Sequence, residues 1–213
     1  MTATDETDVP LDDGPDAESK IGPRHRTPHV LMTIAGSIGL AAAVQLTIDK
    51  FTLMQNKIDD VDTALSCDFS AFVSCGGVMD SAQAEVFGFP NSIIGIVGFS
   101  VVTALGVLFW TGAPAARWVW TGLQLGCVFG IGFVTWLQYQ SIYQLELLCP
   151  YCMVVWAVTI LLFVYVTACS LRGIAPQSPI TRFVSNWSLL IVALWYVAIA
   201  SAIWFQFGER LWA

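Results

Sequence analysis

CPYCMVVWAVTILLFVYVTACSL, residues 149–171, decides how this chain is read. From Tyr151 to Leu171 it carries no charge and is long enough, at about 1.5 Å per residue, to cross a hydrocarbon layer of about 30 Å. Backbone amides in lipid must bond internally, so the stretch is a helix. Its opening, Cys149-Pro150-Tyr151-Cys152, follows a polar-edged segment. Pro150 suits a first helical turn, where its missing N–H would be unpaired anyway. Free N–H groups and the helix dipole favour a thiolate beside them. A Cys-x-x-Cys pair in that setting points to redox chemistry. A static disulfide is the weaker reading, because closing so short a loop gains little.

The other segments agree with a membrane. Of 213 residues, 56% are hydrophobic and only 12% charged, where soluble domains are nearer a quarter charged. Four further spans are expected: Val30–Ile48, Ser92–Thr111, Trp118 to about Tyr139 (running on to Leu148), and Trp187–Phe207. The net charge of −7 comes largely from residues 1–28, an acidic tail expected to be disordered. No basic stripe suggests nucleic acid. Residues 29–171 are expected to form a four-helix core with an outer loop at 49–90, and residues 172–213 a cytoplasmic connection and a fifth helix. With the N-terminus cytoplasmic, Lys20, Arg24, Arg26, Arg117, Arg172 and Arg182 lie inside, and Lys50, Lys57 and Arg210 outside. That bias predicts an N-in, C-out topology. Gly36, Gly39, Gly95, Gly98, Gly126 and Gly130 are expected to let helices approach closely.

This topology divides the six cysteines. Cys67, Cys75, Cys149 and Cys152 face outside, where disulfides persist. Cys127 and Cys169 lie within spans and read as apolar fillers. Cys67 and Cys75 alone suggest a structural disulfide. Beside a second outward pair they suggest thiol–disulfide exchange. A four-cysteine zinc site fits poorly, since zinc pairs are usually spaced by two to four residues. Below Cys152, helical spacing places Val155, Trp156, Thr159 and Ile160 on one apolar wall suited to a flat, lipid-soluble redox carrier. Val78–Phe87 reads as a short surface helix ended by Gly88 and Pro90. Ser81 and Asn91 are polar groups able to reach inward from it, and Asn91 also reads as the N-cap of the second span. Asp68 and Asp80 read as solvated loop acids.

In this order and placement the motifs resemble the vitamin K epoxide reductase family in its bacterial form. The residues concerned are Cys67-Asp68, Ser74-Cys75, Val78 and Ser81, then Asn91-Ser92-Ile93, then Cys149-Pro150-Tyr151-Cys152, over roughly residues 30–171. The resemblance implies an all-α four-helix bundle around a quinone of the menaquinone, ubiquinone or phylloquinone type, with no metal. It implies that Cys152 lies beside the quinone ring with Cys149 as its partner. Cys75 would exchange with Cys149, and Cys67 with a thioredoxin-fold (DsbA-like) protein on the outer face. Ser81, Asn91 and Trp156 would line the quinone site. Trp156 stands where mammalian relatives carry a tyrosine, which argues for quinone rather than epoxide reduction. Many bacterial relatives carry a fused thioredoxin-like domain, whereas only Gly208–Ala213 follow the fifth span here, so the partner is expected to be a separate protein. The disulfide-forming protein B type does similar chemistry with its two cysteine pairs in the reverse order. The expected function is quinone-dependent thiol oxidation in a bacterial cytoplasmic membrane, supporting disulfide formation. The alternative is a non-catalytic transporter subunit or receptor with two structural disulfides.

Overall fold

The structure is a computed structural model that describes residues 27–60, 65, 67–68, 72–113, 116–174 and 177–208. The acidic tail through Arg26, and Arg210 and Trp212, lie outside the described residues. Five helices are long and apolar enough to cross a membrane. They are α1 (Thr27–Ile58), α3 (Ser92–Trp110), α4 (Arg117–Tyr139), α5 (Pro150–Ile174) and α6 (Pro179–Phe207). A short α2 (Cys75–Met79) lies between the first two. Among the described residues the sole β-type contact is one parallel bridge, Val73 with Leu148. The all-α multi-pass fold expected from the sequence is the fold observed.

Helix α1 runs three turns further than its apolar stretch. No Gly or Pro interrupts Asp49–Ile58. Side chains four residues apart bond along it, Gln45 to Asp49 at 2.9 Å and Gln55 to Asp59 at 2.9 Å. The outer loop expected to begin at Asp49 therefore begins after Ile58, and Asp49 and Lys50 are helical. Helix α6 likewise starts two turns before Trp187, with Pro179 in its first turn, the position proline tolerates best.

Helix α5 is central, packing on α1, α4 and α6, while α3 packs on α1. The α1–α3 seam depends on glycine. A Cβ on Gly36 would lie 2.6 Å from Thr103 Oγ1, and one on Gly106 2.8 Å from the Thr33 nitrogen. Gly98 and Gly126, expected at helix contacts, meet nothing within 4 Å. They line a cavity instead, so their missing side chains leave space for a ligand.

The expected surface helix is split and begins earlier. α2 ends at Met79, Ser81 is extended (φ −77°, ψ 149°), and a 3-10 turn covers Ala82–Glu85. The break arises because the Ser81 hydroxyl donates to the Val78 carbonyl at 2.6 Å, diverting it from the next turn. Gly88, at φ +80°, then turns the chain toward α3.

Candidate functional site

The outer cysteine loop is organised around Asp68. One carboxylate oxygen accepts from Ser74 Oγ at 2.8 Å and from the Gly76 N–H at 3.1 Å; the other accepts from the Leu65 N–H at 3.1 Å. Ser74 Oγ in turn accepts from the Gly77 N–H at 3.1 Å, capping α2. Burial pushes the Asp68 carboxyl up, but the bonds from Gly76, Ser74, Leu65 and Cys75 outweigh it and hold the group below its ordinary range. Asp68 is thus a loop organiser rather than a solvated acid. Asp80 is exposed and pairs with Lys57, as its loop position suggested.

A two-residue bridge brings this loop to the Cys-x-x-Cys stretch. The Leu148 N–H donates to the Phe72 carbonyl at 2.8 Å, and the Ser74 N–H to the Leu148 carbonyl at 3.0 Å. Each bridged residue immediately precedes, or nearly precedes, a cysteine. Chain geometry therefore sets Cys75 against Cys149, with their sulfurs 3.4 Å apart. Cys75 is bonded to Cys67, while Cys149 and Cys152 are free thiols. Around Cys149, the Cys152 N–H approaches the sulfur at 3.5 Å. The Cys149 thiol sits below its ordinary range. The hydrogen bond from the Cys152 thiol lowers it most, burial opposes this, the N–H groups of Cys152 and Tyr151 lower it further, and the Asp49 carboxylate raises it.

Cys67, Cys75 and Cys149 are all nearly sealed from solvent, at 2%, 0% and 0% exposure. The resemblance assigns Cys67 to exchange with a soluble protein, yet in this conformation attack on its sulfur needs the covering residues to move. Leu46, Leu65 and Met79 pack over these sulfurs.

Cys152 faces the other way, onto a cavity of ≈ 660 Å³. Helices α3 and α4 form two of its walls; they meet at one end, where Phe109 stacks on Trp120 with ring centroids 5.0 Å apart, and the cavity opens between them. Val155, Trp156, Thr159 and Leu162 continue the α5 wall below Cys152. Ile160 is fully buried and is not part of that wall; Leu162, three residues beyond Thr159 on the same helix face, continues it instead. Trp156 is backed by Val134, Ile142, Leu148 and Phe207, so the last turn of α6 supports the site wall.

Ser81 and Asn91 both line the cavity. Asn91 occupies the position before α3 but makes no side-chain cap there. Its Nδ2 donates to the Gln83 carbonyl at 2.7 Å and its Oδ1 accepts from the Val86 N–H at 3.3 Å. It ties down the 3-10 turn that roofs the cavity, and one amide N–H remains for a ligand. Lys50, which the sequence placed only as an outer-face charge, is buried. Its Nζ donates to the Met79 carbonyl at 2.7 Å and pairs with Glu85 at 2.8 Å, holding the same roof to α1. An apolar cavity with a thiol and a few polar groups at one end fits a flat ring with an apolar tail. Among the described residues no cluster of His, Cys, Asp and Glu could hold a metal.

A membrane bundle whose loop disulfide touches a free thiol, with a second free thiol on a cavity between the helices, fits a class, the membrane thiol oxidoreductases. The family model described as the vitamin K epoxide reductase family matches residues 30–167, and the chain belongs to that family. It is an oxidoreductase of thiols in a family that uses quinones and works with thioredoxin-like partners. No curated protein matches the chain.

Proposed function

We propose that this protein oxidises an extracytoplasmic thioredoxin-fold protein of the DsbA type and passes the electrons to a membrane quinone, sustaining disulfide formation. The observation that carries this is the line of four cysteines: a Cys67–Cys75 disulfide, a Cys75–Cys149 approach of 3.4 Å, and Cys152 on the cavity wall. A structural-disulfide protein has no use for a free thiol in contact with a disulfide sulfur.

The electron path follows from exchange chemistry. The donor dithiol reduces Cys67–Cys75 and leaves as a disulfide. The Cys75 thiolate attacks Cys149 of a Cys149–Cys152 disulfide, releasing the Cys152 thiolate at the cavity. Cys67 then attacks Cys75, restoring Cys67–Cys75 and releasing the Cys149 thiolate, which the N–H groups at the start of α5 stabilise. The quinone takes two electrons and two protons as Cys149 and Cys152 are oxidised. Asn91 and Ser81 orient the ring from the roof, and Trp156 packs along its face. The loop faces outside and the N-terminus the cytoplasm of a bacterial cell.

The test is quinone reduction by detergent-solubilised protein, with a reduced thioredoxin-fold donor and a short-tailed quinone, followed by absorbance. Wild type turns over and Cys152→Ser does not. No turnover by wild type across several donors and quinones overturns the proposal in favour of two structural disulfides.

A further inference from the structure

Asp49 stands out from the machinery described so far. It is 5% exposed, and among the described residues no cation pairs with it. Its Oδ1 accepts from Gln45 Nε2 at 2.9 Å, which fixes the carboxylate and turns Oδ2 toward Cys67 Sγ at 3.7 Å. The adjacent Lys50 points elsewhere, to Met79 and Glu85. A carboxylate offers about four acceptor positions. Burying one with a single neutral donor is costly unless a further donor arrives. A disulfide sulfur cannot be that donor, but the thiol of reduced Cys67 can.

We infer that Asp49 is the proton acceptor and donor for Cys67, taking the thiol proton as Cys67 attacks and returning it when Cys67 is next released. The inference rests on the relay proposed above. In the closing step, Cys67–SH, the Asp49 carboxylate and the Cys75–Cys149 disulfide become the Cys67–Cys75 disulfide, the Asp49 carboxylic acid and the Cys149 thiolate. The Cys67–Cys75 bond forms as the Cys75–Cys149 bond breaks, and the electron pair leaves on Cys149. When the donor protein later expels Cys67, the Asp49 acid protonates that thiolate, so no solvent proton is needed in the sealed site. The arrangement also moves charge rather than accumulating it. The Asp49 carboxylate opposes a Cys149 thiolate, and that opposition ends when Asp49 becomes neutral. The nearby ionisable groups are Lys50 on α1, held by Glu85, then Asp68 in the loop, held by Ser74 and Gly76, then Cys149 before α5 and Tyr151 and Cys152 on α5. None of them shows a hydrogen bond with Cys67 Sγ, so Asp49 is the acceptor in reach.

The experiment starts from fully reduced full-length protein in detergent. A short-tailed quinone is added, the reaction is acid-quenched and alkylated, and the disulfides are mapped by mass spectrometry over time. In Asp49→Asn the Cys75–Cys149 species accumulates, and Cys67–Cys75 closes about 100-fold more slowly near neutral pH. The defect shrinks as pH rises toward about 8.5, where an ordinary thiol ionises unaided. Asp49→Glu restores part of the rate. Closure at the wild-type rate, or slowing by one factor at every pH, overturns the inference, the latter marking a merely structural role. If Asp49→Asn does not fold, the wild-type profile decides. Closure nearly level across pH 6.5 to 8.5 (about the range of interest) supports the internal base, and a tenfold rise per pH unit overturns it. If quinone forms no Cys149–Cys152 disulfide in wild type, the proposed function fails instead. Closure is then started with diamide, a thiol oxidant needing no quinone site, and judged by the same outcomes.

Discussion

Cys67 and Cys75 are held by hydrogen bonds folded across a polar loop and by a bridge to a distant segment, whereas Cys149 and Cys152 are held by the first turn of one helix. The outer pair depends on Asp68, on Ser74 and on a bridge to Leu148. The inner pair depends on Pro150 at the start of α5 and on its own N–H groups. The difference teaches where each pair is vulnerable. A polar loop can be loosened by one charge, while a helix start in a packed bundle is lost only with the bundle. It also suits the proposed roles, since the pair that meets a soluble protein must open and the pair beside the cavity must not.

The sharpest way to separate the pairs is Cys75→Ser. Turnover with a protein donor is expected to fall below detection, while quinone reduction driven by a small dithiol, acting directly on Cys149–Cys152, persists. Loss of both would mean that the pairs do not work in series. Next in size is Asp68→Asn. Removing the charge that accepts these loop hydrogen bonds is expected to cost the loop about 1–3 kcal/mol and to slow protein-donor turnover about tenfold, with small-dithiol turnover unchanged. Hydrogen exchange across residues 65–80 would report the loosening.

The same bonds predict a pH dependence. A carboxyl held below its ordinary value of 3.8 stabilises the folded loop fully above that value and loses this contribution as pH falls through the lowered one. Loop protection is therefore expected to be level from neutral pH to about 5 and to fall only below about 4. A midpoint near neutrality would assign the effect to another group. Smaller still is Gly126→Leu, which places a side chain in open cavity space. It is expected to raise the KM for quinone several-fold without lowering thermal stability, whereas a side chain at Gly36 would strike Thr103 and unsettle the α1–α3 seam. The smallest expected effect is none: serine at Cys127 or Cys169 leaves turnover intact. Loss of activity there would break the division of the six cysteines into two pairs and two fillers.

Helix number and type were legible because each span is a long uncharged run, and a membrane leaves the backbone no other way to satisfy its amides. The Cys-x-x-Cys setting was legible for a local reason: Pro150 and the two thiols lie within one turn. Asp49 and Lys50 were misassigned to a loop because hydropathy falls at Asp49, and nothing in a one-dimensional pattern separates a polar helical turn docked on a protein surface from a solvated loop. Asp68 was misread for a related reason, and so was the cap reading of Asn91, whose inward reach was read correctly. Their types fit a solvated acid and a helix cap, and only the returning backbone of Gly76, Gln83 and Val86 shows where their oxygens and nitrogens go.

By itself, the sequence determined the five apolar helices, the family and the candidate thiols, because length, charge and short-range spacing set these. Tertiary structure alone decided how the Val73–Leu148 bridge sets Cys75 against Cys149, that α3 and α4 meet at Phe109 and Trp120 and part around a cavity, and that Phe207 supports Trp156. Each of these depends on contacts between residues dozens of positions apart, and those contacts are fixed by packing rather than by any local pattern.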